Sequence, residues 1–82
     1  MKHESHPAIA KRLKRAEGHI RAIIEMIDQG RPCVDLAQQL HAVEKAVGNA
    51  KRELIHDHIE HCLEDDHHHG SLSELKQLAK YL

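Results

Sequence analysis

The sequence predicts an all-α fold: a three-helix protomer, made of a helical hairpin and a short C-terminal helix, that pairs into an antiparallel four-helix-bundle dimer. Three observations carry this. Apolar residues recur at alternating steps of four and three, the spacing of one helix face. Glycine and proline number four and two in 82 residues and, apart from Gly18 and Gly48, fall outside those apolar runs, so breaks are few and elements long. Phe and Trp are absent and Tyr81 is the sole aromatic residue, leaving a core of Leu, Ile, Val and Ala that suits helix packed on helix. Residues 1–82 make one domain, and a chain this short often needs a metal, a disulfide or a partner subunit to be stable.

The first helix is marked by Ile9, Leu13, Ala16, Ile20, Ile23 and Ile27. Ser5 stands where an N-cap is wanted, Pro7 suits the first turn, and Gly30 reads as the stop. Pro32 opens the second helix, whose seam is Leu36, Leu40, Val43, Val47, Ala50 and Leu54. Nothing interrupts it before about Glu64, so it runs for roughly 30 residues, on the order of 45 Å. The short Gly30–Arg31 connection folds the two helices antiparallel. Gly70 breaks the chain, Ser71-Leu-Ser-Glu74 resembles a capping box, and Leu72, Leu75, Leu78 and Leu82 stripe a short third helix. A flank of Ala42, Ala46 and Gly48, with Ile55 and Ile59 further along, marks the second helix for close approach by a second hairpin. A tetramer of two such dimers stays open.

Charge divides the chain. Residues 1–52 carry ten Lys/Arg against six Asp/Glu, and residues 53–82 two against seven, so a net of +4 is followed by −5. No segment reads as a signal peptide and no apolar run approaches the ~20 residues of a membrane helix. The expectation is a cytoplasmic protein with no membrane partner, in which two cysteines serve as thiols or metal ligands rather than as a disulfide.

The stretch from Arg52 to Gly70 holds six of the ten histidines and one of the two cysteines. His58 and Cys62, at i and i+4, share a helix face and can chelate one ion. Cys33 lies 25 residues before His58, roughly 38 Å along a continuous helix, too far to join them within one chain. Antiparallel pairing of two copies of the second helix about Ala46–Val47 brings Cys33 of one subunit beside His58 and Cys62 of the other, twice per dimer. Two thiolates and one imidazole suit Cu(I); Zn(II) wants a fourth ligand, as does square-planar Ni(II), for which His3, His6 and the N-terminal amine are candidates. The plainer reading of Cys33 is a small hydrophobe on an apolar seam. His56, His61 and His67–His69 read as a solvated, metal-attracting surface, and His41 as structural or interfacial.

Around these residues the chain resembles the copper-sensitive-operon repressor family, over about Ile9 to Leu82. The resemblance rests on "RLKRAEGHIRAI", "CVDLAQQLHAVEKAV" and "HDHIEHC", and on the spacing of Cys33, twenty-four residues, His58, three residues, Cys62. It implies an all-helical dimer or tetramer, a metal site at the dimer interface, and DNA release when metal binds. The nickel/cobalt branch is similar but has histidine where Cys62 stands and another near the N-terminus, at a position aligning with Met1, two residues before His3. "GNAKRELIHDH" looks closer to that branch and to the formaldehyde sensors, which rely on an N-terminal proline absent here. The persulfide-sensing branch lacks the histidine.

DNA contact is assigned to Lys11, Arg12, Lys14 and Arg15 on the first helix, with Arg21, Lys51 and Arg52 as further candidates. Arg12 and then Arg15 lead, because family members contact DNA through basic residues of this helix. With no helix-turn-helix, a helical face must meet phosphates and groove shape. The expectation is a metal-responsive repressor that is not an enzyme, answering to Cu(I), or alternatively to Ni(II) or Co(II). Two rivals remain: a cytosolic metal buffer that ignores DNA, supported by the histidine-rich stretch, and a thiol redox enzyme using Cys33, which no Cys-x-x-Cys supports.

Overall fold

The computed structural model describes residues 5–64 and 71–82, with the side chains of residues 62–64 and 71 left aside. The described residues form three helices, α1 (His6–Asp28), α2 (Cys33–Glu64) and α3 (Ser71–Ala79). None of them is long and apolar enough to cross a membrane.

α1 starts as its residues direct. Ser5 holds the N-cap position and its carbonyl accepts from the Ile9 amide at 3.0 Å. Its hydroxyl makes no capping hydrogen bond, so Pro7 in the first turn is the stronger start signal. The stop is built on Gly30, at φ 72°. The Gly30 amide donates to the Ile27 carbonyl at 3.0 Å and the Arg31 amide to the Met26 carbonyl at 3.1 Å. This paired arrangement satisfies two terminal carbonyls and requires a residue that tolerates positive φ. The chain then turns back at once, and the Pro32 carbonyl accepts from the Leu36 amide at 3.1 Å as α2 begins.

α1 and α2 pack along the hairpin, and α3 touches α2. The apolar positions separate into two sets that the sequence reading had merged. Ile9, Ala16 and Ile23, seven residues apart, are buried with Val43 and Ala50 of α2 between the two helices. Leu13, Ile20 and Ile27, also seven apart, are exposed, and so are Leu40, Val47 and Leu54. An i, i+4, i+7 pattern is wider than one partner helix can cover, so one edge packs within the chain and the other looks outward. Ile55, placed by the sequence reading on a flank, is instead one of the two most deeply buried side chains, with Ile23. Each contributes about 1.5–3 kcal/mol relative to exposure.

Gly48 is half-buried. It lies about 100° around α2 from Val47, and a Cβ there would sit 3.6 Å from the Arg52 guanidinium. That is ordinary van der Waals distance, so an alanine would fit at this position. The α3 start differs from expectation: Ser71 is already helical, so it is not the N-cap of a capping box. The Glu74 carboxylate turns toward α2 instead. Leu75 and Leu78 are half-buried, while Leu72 and Leu82 are exposed. The chain measures 54 × 23 × 13 Å. A helix with its side chains is about 10–12 Å across, so the hairpin is a sheet one helix thick.

Candidate metal centre and nucleic-acid interface

α2 is one unbroken helix of 32 residues, and the candidate ligands stand near its two ends. Cys33 is its first residue, a free and exposed thiol. His58 is half-buried, and Cys62 continues the same helix one turn later, with its side chain outside the described set. At 3.6 residues per turn, His58 and Cys62 each project within about 20° of the direction of Cys33. The chain therefore does not bring Cys33 to the other two, and among the described residues no three metal-ligating side chains converge.

Cys33 and His58 share a face of α2 that is exposed at Cys33 and half-buried at His58. Leu40, Val47 and Leu54 continue it from Cys33 toward His58, at 51%, 42% and 36% exposure. These exposed aliphatic side chains form a stripe with Cys33 at one end and His58 at the other. The midpoint between Cys33 and the His58/Cys62 pair falls between Ala46 and Val47, and Val47 is on that stripe.

His58 is held from behind. Its Nε2 lies 3.3 Å from Oε1 of Glu74 on α3. Ile55, three residues earlier and on the same side of α2, is buried beneath it. Fixing one ring nitrogen against a carboxylate sets the orientation of the other, the arrangement by which proteins aim metal-binding histidines. Asp57 is turned to His61, whose Nδ1 lies 2.8 Å from the Asp57 carbonyl and 3.4 Å from its carboxylate. Glu74 had been read only as part of a cap. The approach of α3 to the end of α2 gives it this second role, and no spacing rule spans the Glu64–Ser71 connection to announce it.

The other histidines spread out. His6 is half-buried at the start of α1, while His3 and His67–His69 lie outside the described residues. His56 is exposed. His41 is exposed and 3.9 Å from Glu44. His19, which the sequence analysis passed over, bridges the hairpin: its Nε2 is 2.6 Å from Oε1 of Gln39.

The basic residues form a second surface. Lys11, Lys14 and Arg15 are exposed on α1. Arg12 borders α2 and is ion-paired with Glu53. Arg21 is 3.7 Å from Glu17, Arg52 donates to the Asn49 side-chain oxygen, and Lys51 is exposed. From Glu53 to His58, α2 turns by about 140°. The Glu53 position, against which Arg12 rests, thus lies on a different side of α2 from the thiol–imidazole stripe, whereas Lys51, about five full turns from Cys33, lies in line with it.

The donor chemistry fits a soft cation: a thiol and an aimed imidazole on one face, with a second cysteine one turn on, suit Cu(I). Comparison with known proteins points the same way. Residues 5–82 match the profile of a family described as metal-sensitive transcriptional repressor. The copper-sensing transcriptional repressor CsoR of Bacillus subtilis is 40% identical over 76 residues, 88% of this chain and 75% of that protein. CsoR of Mycobacterium tuberculosis is 32% identical over 78 residues, 90% of this chain and 66% of its own length. Among solved structures, the nickel-responsive transcriptional regulator InrS superposes with a TM-score of 0.78 at 31% identity, covering 100% of this chain and 98% of its own.

Proposed function

Because the chain belongs to the metal-sensitive transcriptional repressor family, we propose that it binds operator DNA without metal and releases it when Cu(I) binds between two subunits. The ligands are Cys33 of one chain with His58 and Cys62 of the other. The observation that carries this reading is the outward stripe of α2, which runs from Cys33 through Val47 to His58. Pairing two such stripes antiparallel about Val47 covers the exposed aliphatic side chains. The same step brings each Cys33 to the partner's His58/Cys62 end, twice per dimer. A hairpin one helix thick gains an interior by this pairing, as an antiparallel four-helix bundle.

The chain's own residues then have separate tasks. Cys33 and Cys62 supply thiolates, which bind only when deprotonated. His58 supplies the ring nitrogen that faces away from Glu74, and α3 keeps the ring in place. Lys11, Arg12, Lys14 and Arg15, with Arg21, Lys51 and Arg52 nearby, supply the phosphate-binding surface, repeated by symmetry. Metal and DNA favour different arrangements of the bundle, so each weakens the other by the same factor. Such a regulator works in the cytoplasm, where DNA is at hand and thiols stay reduced.

A second reading, a Ni(II)- or Co(II)-responsive repressor, is favoured by the likeness to the nickel-responsive InrS. It needs a fourth ligand, for which His3 and His6 near the start of α1 are the candidates; Zn(II) would need one too.

The test uses mixed chains. A Cys33→Ala subunit combined with a His58→Ala/Cys62→Ala subunit keeps one complete cross-chain site per heterodimer and no complete site within either chain. The expected result is one tightly bound Cu(I) per heterodimer; none bound would eliminate the cross-subunit site. Release of promoter DNA, followed with Cu(I), Ni(II), Co(II) and Zn(II) in turn, identifies the cognate metal. A protein that takes up metal and never binds DNA would be a buffer.

A further inference from the structure

We propose that Glu53 is an internal competitor for DNA: its carboxylate occupies the Arg12 guanidinium that would otherwise meet a phosphate, and so sets how tightly the basic edge binds. This rests on the assignment of that edge to DNA, and it adds a residue of opposite charge to the surface.

The hairpin register makes the pair. Antiparallel packing of α1 on α2 brings residue 12 opposite residue 53, and the Arg12 guanidinium donates to the Glu53 carboxylate. Both side chains keep access to water, at 39% and 43% exposure, so an incoming phosphate can reach the arginine and the carboxylate can swing away. Lys11, Lys14 and Arg15 stand exposed on neighbouring positions of α1. Around α1, Arg15 projects about 60° and Lys11 about 100° from Arg12, with Lys14 further round, so DNA that engages Arg12 also meets Arg15 and Lys11.

A carboxylate and a phosphate oxygen ask the same thing of a guanidinium, a charge-assisted hydrogen bond. Forming the DNA contact requires breaking the internal one, and the freed Glu53 then stands beside the phosphates and repels them. Both effects lower affinity without touching base readout. They also blunt the salt dependence, because the contact exchanges one anionic partner for another. Glu53 projects about 140° from His58 around α2, so its removal leaves the metal ligands alone.

The test is a double-mutant cycle on the full-length protein: wild type, Glu53→Gln, Arg12→Ala and the double variant. The probe is a fluorescein-labelled random-sequence duplex, titrated by anisotropy over a range of salt. Gln keeps the size and helical preference of Glu at an exposed site, and thermal melts check that all four proteins fold. In the wild-type background, Glu53→Gln is expected to tighten binding roughly twofold to fivefold for each Arg12 engaged, the worth of one exposed ion pair. The slope of log affinity against log salt should steepen by up to about one per engaged arginine. In the Arg12→Ala background the same substitution should change little. Equal tightening in both backgrounds would mean that Glu53 acts only as a surface charge, and unchanged affinity would mean that the pair does not compete; either overturns the proposal. Wild-type protein that binds neither this duplex nor its own promoter at low salt would overturn the repressor reading and this proposal with it, whereas DNA binding insensitive to Glu53 overturns this proposal alone.

Discussion

Glu74 and His58 meet across two helices, carboxylate oxygen to ring Nε2 at 3.3 Å, so the short α3 is fastened to α2 through a proposed metal ligand. If His58 binds metal as proposed, metal affinity and the docking of α3 are coupled through this contact.

Glu74→Ala frees the ring and should weaken Cu(I) binding about tenfold, the low end for loss of a residue that orients a metal-bound histidine. Competition against a Cu(I) chelator measures it. Unaltered affinity would show that the His58 ring is set by other contacts.

Val47→Asp puts a carboxylate at the centre of the outward stripe. If two stripes pair there, the substitution buries two unmatched charges at the twofold axis and should weaken association by about 100-fold or more. Sedimentation of both proteins at matched concentration decides it, and an unshifted distribution would place the subunit contact elsewhere.

Ile23→Ala removes one of the two most buried side chains and should cost about 2–5 kcal/mol. Glu25→Ala, on the exposed side of the same helix, should stay within about 0.5 kcal/mol of wild type. The two are compared by chemical denaturation at one protein concentration, since subunit association adds to apparent stability. Similar losses for both would mean that the α1–α2 interface is not the cooperative core.

Gly30→Ala forces a Cβ into left-handed backbone at φ 72° and should cost about 1–2 kcal/mol, with no steric clash to add to it. A melting temperature equal to wild type would argue that the turn relaxes to another conformation.

The three helices and the ends of α1 were legible because each signal is local: Pro7 in a first turn, Gly30 at a stop, and no breaker from Pro32 to Glu64; the start of α3 at Ser71 was not. The division of the apolar seam was not legible. Ile9 and Leu13 look alike to a periodicity argument, and only the rotation of α1 against α2 buries the first and exposes the second. Ile55 was misplaced for a related reason, since its burial depends on the end of α2 near α3 rather than on the α1 seam. Of the candidate site, Cys33, His58 and Cys62 were proposed from type and spacing. Glu74 and Glu53 were not, because their roles depend on a contact between helices that sequence separation does not encode.

The unbroken run of α2 constrains how such a protein can change length over evolution. Inserting one residue between Cys33 and His58 would swing the two ends about 100° apart and advance them only 1.5 Å. In a twofold pair the lengthening is shared, so the ends would still meet in register along the axis but face different sides. Seven residues, close to two full turns, would restore the facing and still bring each end to its counterpart, because the pairing is symmetric about its own midpoint. Gains and losses inside this helix are therefore tolerated by phase rather than by size, and relatives that keep a site of this kind should differ there by whole heptads or not at all.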